Sequence, residues 1–473
     1  MLGVGAVAAA AGWWWGRADT RSRRTVALAR VGARSGAAYA TYAARSVLAD
    51  DDTRDELRRR FELRTAEEVA ATLGNMKGAV MKLGQMASYL DQGLPAPVRE
   101  ALAQLQSDAP PMSWDLVVEV VTAELGAPPE QVFAHVEREP LAAASIGQVH
   151  RARTHDGRDV AVKVQYPGVD AAIRADLDNS DLLFGAMSML FPGMDPKPIV
   201  AELRARLTEE LDYRIEAAFQ TRFADAYAGH PTIHVPRPLP ELSTARVLTT
   251  ELATGASWSE LLAWPQDEKD LAAETIYRFA FGGIYRLGLF NGDPHPGNYL
   301  FRPGGQVTFL DYGLCKEFTP EAVEAAGRLI RAMVLDRDIA EFRRVTAEIG
   351  VLVDGDRFSD EEVEDYFRHF YEFVMRDEVA TMTPEYASES VRRYFDLGSE
   401  HIEIMKAANL PADWVIVQRI NLGLFALFGE LGATGNWRRL AEEIWPWIDG
   451  APSTRMGRAI RDWEAARRGD VAG

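Results

Sequence analysis

Cysteine is almost absent: Cys315 is the only one in 473 residues. No intramolecular disulfide can form and no cysteine-based zinc site can be assembled, which fits a reducing, cytoplasmic setting. Net positive charge is lacking as well. The formal charge is −18, and that excludes wholesale nucleic-acid binding, which needs Lys and Arg to neutralise phosphates. The apolar run at the start is short. Residues 1–16, MLGVGAVAAAAGWWWG, carry no charged side chain, yet as a helix they span only about 24 Å, less than the roughly 30 Å hydrocarbon core of a bilayer. Internal repeats and low-complexity tracts are missing too.

What is present is the balance of a globular protein. Hydrophobic residues make up 47% and charged residues 26%, enough to bury a large core. The charge is unevenly spread. Between residues 17 and 45 stand seven Arg against one acid, Asp19, so the rest of the chain is strongly acidic. An apolar end with Trp13, Trp14 and Trp15, followed by this basic collar, suggests the cytoplasmic face of an anionic membrane, held peripherally or by the N-terminus. The order is wrong for a signal peptide, whose positive charge precedes the apolar run.

Apolar residues at steps of three and four (Val69, Leu73, Met76, Val80, Leu83, Ala87, Leu90) predict a helix over 66–90. Pro110 and Pro111 mark a boundary. From about residue 131 the period changes to two. VHRAR and VAVKVQY read as strands joined through THDGR, where Asp156–Gly157 is a hairpin signal. A helical stretch over about 199–228 precedes the strand-like TARVLTTEL. Helices are then expected over about 267–289, 320–350, 359–377, 386–407, 411–431 and 436–447, interrupted by two short strands within 291–314. The expected fold is α+β: a bilobed protein-kinase-like molecule with a small β-rich lobe, a large helical lobe and an N-terminal helical extension. The corresponding segments are 1–45 (apolar, then basic), 46–112 (helical extension), 113–252 (small lobe), 253–455 (helical lobe) and 456–473 (polar tail).

Three patterns carry chemistry. In LAAASIGQVHRA, the small residues Ala142, Ala143, Ala144, Ser145 and Gly147 occupy a turn between strands. A phosphate-covering loop needs small side chains so that backbone N–H groups can approach, although small residues in a hairpin more often mean tight packing. Lys163 sits mid-strand in VAVKV and needs an anionic partner if buried. The segment TEELDYRIEAAF offers Glu216. Asp212 stands four residues before Glu216, on the same face of a regular helix, and Glu210 lies about 120° away from Glu216, which assigns the two glutamates to different cations. Glu251, closing TARVLTTEL, completes the expected ATP-binding set. The decisive segment is 291–313. Asp293 and Asn298 stand five apart in DPHPGN, and Asp311 follows in DYG. Protein kinases use such an Asp near the acceptor hydroxyl and such an Asn and Asp as Mg²⁺ ligands. Asn291 replaces the usual His, and His295 reads as a brace for the loop.

Together these residues resemble the UbiB/AarF-like atypical kinases, which include proteins tied to coenzyme Q biosynthesis. The resemblance covers roughly 65–335. Its most specific mark is MKLGQ, where Lys82, Gly84 and Gln85 match the K-x-G-Q signature. AAASIGQVH, VAVKVQYPG, ELDY with Glu210 and Asp212, and DPHPGN match too. It implies ATP and Mg²⁺ as cofactors, with Lys163 on phosphates, Glu216 orienting it, Asn298 and Asp311 on metal, and Asp293 as base or acceptor-positioning group. It also implies that Lys82 and Gln85 form a lid over Glu210 and Asp212, and that the activity serves isoprenoid-quinone or other lipid metabolism, with a prenyl lipid or membrane as partner. Two departures stand out: the C-terminal end is polar where members often carry transmembrane segments, and DYG replaces DFG. Two rivals remain open, a small-molecule phosphotransferase and a nucleotide-gated lipid-binding scaffold that transfers no phosphoryl group.

Overall fold

The computed structural model describes residues 112–144, 146–170, 208–292, 294–352, 355–395, 402–407 and 412–471. Lys82, Gln85, Ser145, Asp293, the 66–90 helix and the apolar N-terminus lie outside these residues. The chain divides into two compact units, and all but three of the described residues belong to the larger one, which comprises Pro111–Pro167 and Phe191–Gly473.

The small lobe is a five-stranded antiparallel sheet. Its strands are β1 (His135–Val136), β2 (Ala142–Ala144), β3 (Gly147–Arg153), β4 (Asp159–Gln165) and β6 (Val247–Glu251), in the order β1-β3-β4-β6 with β2 on β3. The β3–β4 hairpin turns where Asp156–Gly157 predicted it, with Gly157 at φ 90°. Alternation along β4 sends Val160, Val162 and Val164 into a core completed by Val117, Val120 and Val121 of the helix Trp114–Leu125 and by Phe133. Lys163 therefore faces the other way.

The helical lobe is built round Gln266–Gly282, of which Ala272 through Gly282 are all buried. Two small sheets rest on it. β5 (Ile233–His234) pairs in parallel with β9 (Gln306–Phe309), which pairs with β8 (Tyr299–Arg302), while β7 (Leu289–Asn291) pairs with β10 (Cys315–Glu317). The expected bilobed kinase-like architecture is present.

Several boundaries differ from the sequence-based expectation. The 320–350 stretch is two helices, Pro320–Ile330 and Ile339–Glu348, because a π turn (Arg331–Asp336) ends at Arg337 in the left-handed region, φ 54°. The 359–377 stretch splits into Asp360–Arg368 and Glu372–Met375. The two strands expected within 291–314 are present as β8 and β9, with β7 ending at Asn291 and β10 starting at Cys315. The polar tail is a helix, Arg455–Val471. Among the described residues no helix is long and apolar enough to cross a membrane.

Candidate nucleotide and metal site

Lys163 is paired across β4 with Val149 of β3 and Leu248 of β6, so neighbouring backbone fixes it on both sides. Its ammonium lies 2.9 Å from both carboxylate oxygens of Glu216 and 3.7 Å from Oδ2 of Asp311. The Tyr213 ring lies 5.0 Å away, close enough for a cation–π contact. Burial disfavours the charged ammonium, but the carboxylates of Asp311 and Glu216 outweigh it and hold the Lys163 pKa well above its usual value. Glu216 is pulled in opposite directions. Burial raises its carboxyl pKa, Lys163 lowers it and Asp311 raises it again, for a net rise. Two carboxylates compete for one ammonium, with the carboxyl of Glu210 buried nearby. That excess of buried acid is the electrostatic setting a divalent cation fits.

Glu216 arrives here because Asp212 starts its helix. Asp212 has extended backbone, φ −124° and ψ 96°, and its carboxylate accepts from the N–H of Arg214 at 3.1 Å. The helix is Tyr213–Ala226. This corrects the expectation that Asp212 and Glu216 share a helical face: an N-cap stands outside the helix. It also removes the 120° separation of Glu210 from Glu216, since the chain is not helical between them. Instead Glu210 approaches the DYG turn, where a Cβ on Gly313 would stand 3.5 Å from Glu210 Oε1 and 3.2 Å from Asp311 Oδ1.

The metal-side residues flank adjoining strands, Asn298 ending the 3-10 turn just before β8 and Asp311 lying two residues beyond β9. The N–H of Leu310 donates to the Asn298 carbonyl at 3.0 Å, which sets Asn298 beside the approach to Asp311. The N–H of Gly313 donates to Asp311 Oδ1 at 2.8 Å. His295 accepts from the N–H of Gly297 at 3.0 Å through Nδ1, the bracing role read from sequence. Asn298 and Asp311 are hard oxygen donors of the kind Mg²⁺ takes, leaving further positions to phosphates and water. Among the described residues no group of three or more His, Cys, Asp or Glu is arranged to hold a metal ion.

Three residues were not legible as site residues. Asn291 donates from Nδ2 to the Asp311 carbonyl at 2.7 Å, tying the DPHPGN loop to the DYG turn; the departure from His was its only signal. Tyr213 is 2% exposed, and its buried hydroxyl has no hydrogen-bond partner among the described residues. Tyr312 of DYG is 1% exposed and packs 5.3 Å from Phe223 of the Glu216 helix. The hydroxyl that distinguishes Tyr312 from Phe donates to the Phe309 carbonyl at 3.3 Å, so DYG costs no unpaired polar group.

The other expected nucleotide residues divide: the small residues stay on the β2–β3 hairpin beside β4, and Glu251 lines a separate cavity. Ala143 and Ala144 lie on β2, opposite Gln148 and Gly147. A Cβ on Gly147 would stand 2.2 Å from the Val164 carbonyl oxygen, so close packing against β4 by itself requires glycine there. The Glu251 carboxylate accepts from the N–H of Arg237 at 3.0 Å. It lines a cavity of about 350 Å³ with His234, Arg237, Arg302 and Gln306, and neither Lys163, Glu216 nor Asp311 lines that cavity.

Comparison with known proteins agrees with this geometry. Residues 104–346 match the ABC1 atypical kinase-like domain. The mitochondrial atypical kinase COQ8B of Rattus norvegicus is 33% identical over 269 residues, 56% of this chain and 51% of that protein. The mitochondrial atypical kinase COQ8 of Saccharomyces cerevisiae is 27% identical over 393 residues, 80% of this chain and 75% of that protein. The chain thus spans about half the length of the first of these relatives. Among solved structures, Rv3197 of Mycobacterium tuberculosis in complex with erythromycin superposes with a TM-score of 0.60 at 31% identity, covering 83% of this chain and 98% of that one.

Proposed function

Because the chain belongs to the ABC1 atypical kinase-like family, the UbiB/AarF group, we propose that it binds Mg-ATP at Lys163, Glu216, Asn298 and Asp311 and turns it over by hydrolysis or phosphoryl transfer. The observation that carries this reading is the buried Lys163–Glu216 pair with Asp311 3.7 Å from the same ammonium. Lys163 holds phosphate oxygens and Glu216 fixes the direction of its ammonium. Asn298 and Asp311 hold the metal, and Asp293 orients or deprotonates the acceptor. Mg²⁺ would supply charge neutralisation at the phosphates. Ala143, Ala144 and Gly147 belong to the β2–β3 hairpin, whose backbone would cover phosphates, and a lid role for Lys82 and Gln85 is what the family resemblance implies. The quinone or lipid role rests on the family and on the COQ8 relatives, and the membrane setting rests on the Trp cluster and Arg collar of the sequence.

ATPase activity measured with and without anionic liposomes tests this reading. Mg²⁺-dependent turnover stimulated by liposomes is expected. Mg-ATP binding without any turnover would favour the lipid-binding scaffold. The erythromycin complex of the similar structure motivates a second reading, a small-molecule phosphotransferase. ATP turnover raised by a macrolide but not by liposomes, with a phosphorylated macrolide detected by mass spectrometry, would decide for it.

A further inference from the structure

The helix that carries Glu216 closes its last turn locally, with the Tyr227 N–H donating to the Phe223 and Asp225 carbonyls and the Asp225 carboxylate paired with Arg237 at 2.8 Å. Its last turn, Phe223 to Ala226, contains no basic residue, and the last carbonyls of any helix have no intrahelical partner. The C-terminal helix Arg455–Val471 adds side-chain donors from a remote part of the chain. The Arg467 guanidinium donates to the Ala226 carbonyl and, at 3.3 Å, to the Asp225 carbonyl. The Trp463 indole N–H donates to the Ala228 carbonyl at 3.1 Å. Arg467 also stacks over the Trp463 ring, 5.0 Å from its centroid, and that ring meets the half-buried His230 edge-on at 4.7 Å. A cation on terminal carbonyls is the arrangement a helix dipole favours.

The C-terminal helix is anchored to the large lobe. Met456 is 5% exposed, and its sulfur accepts from the Thr275 hydroxyl at 3.3 Å. Glu464 pairs with Arg286. The Glu216 helix is therefore held at its far end by the large lobe, while Glu216, in its first turn, reaches a lysine on the small-lobe sheet. Ten residues separate Glu216 from Ala226, about 15 Å of rigid helix. A shift or rotation at the gripped end carries through to Glu216, and about 1 Å there takes a 2.9 Å ion pair out of hydrogen-bonding range.

We propose that Arg467 and Trp463 are positioning residues for Glu216, holding it against Lys163 by clamping the C-terminal end of its helix. The proposal rests on the reading of Lys163–Glu216 as the nucleotide-holding pair. The test uses the full chain with Arg467→Met, which keeps bulk and removes the donors, and Arg467→Lys, which keeps a cation. Each is made alone and in a Glu216→Gln background. Hydrogen exchange of the amides of 213–230 and calorimetric Mg-ATP affinity are the readouts.

Arg467→Met should speed exchange locally by roughly five-fold, weaken Mg-ATP several-fold, and weaken it no further once Glu216 is Gln. Arg467→Lys should recover most of both. Unchanged exchange at 213–230 would overturn the proposal. So would an equal loss of affinity in both backgrounds, the signature of a merely structural contact. If the wild-type chain binds no Mg-ATP, the functional reading fails and exchange alone decides the clamp.

Discussion

The two ends of one helix, Tyr213–Ala226, are built on different principles. The N-terminal end is local: Asp212 caps it, and Glu216 lies in its first turn. The C-terminal end adds remote support, from Trp463 and Arg467 more than 230 residues further along the chain. The local end carries the chemistry and the remote end fixes where that chemistry points. A motif can therefore encode a functional group completely while leaving its orientation to a segment without a motif.

The strongest way to break that contrast is at the local end. Lys163→Met strands the buried Glu216 carboxylate, which costs roughly 3–5 kcal/mol, whereas Glu216→Gln leaves the ammonium with Asp311 3.7 Å away and should cost less. Their double mutant should cost far less than the sum, read by denaturant unfolding. Additive losses would separate the pair and remove the local half of the comparison.

Asp212→Ala should destabilise by about 1 kcal/mol as a lost N-cap. Its effect on Mg-ATP affinity should be smaller than that of Lys163→Met.

At the remote end, burial first and Arg278 second push the His230 imidazole down to about 3. A depressed folded-state value means the neutral form is required, so its contribution is complete above the unfolded value of about 6.5. That stability is lost as pH falls from there toward 3. Between pH 7 and pH 5 the wild type should lose stability more steeply than His230→Gln, measured by urea midpoints. Equal slopes would place the titration elsewhere.

The smallest effect is expected at Tyr213→Phe. Removing a buried hydroxyl that has no partner among the described residues should leave stability within about 1 kcal/mol or raise it. A loss of several kcal/mol would mean the hydroxyl is bonded in the folded protein.

Legibility in the sequence followed the range of the interactions. The β3–β4 hairpin was plain because Asp156–Gly157 and a period of two are local. The Lys163–Glu216 meeting was plain because a cation flanked by Val162 and Val164 needs an acid, and Glu216 was the acid offered on the following helix. The break at Arg337 was hidden, because no glycine or proline marks it and apolar residues recur on both sides. Asp212 looked helical because an N-cap residue differs from a helical one only in backbone angles. The tail looked like solvent-facing chain because a helix that buries little beyond Met456 and Gly457 leaves almost no apolar pattern. Its work is done by hydrogen bonds to carbonyls, which no sequence period records.

The central claim is that Asp311, beside the Lys163–Glu216 pair, is part of a Mg-ATP site, and titration calorimetry of ATP tests it most directly. Wild-type protein should bind ATP in Mg²⁺ and lose most of that affinity in EDTA, while Asp311→Asn, folded by circular dichroism, should bind weakly under both conditions. Equal Mg-ATP affinity in wild type and Asp311→Asn would contradict the account.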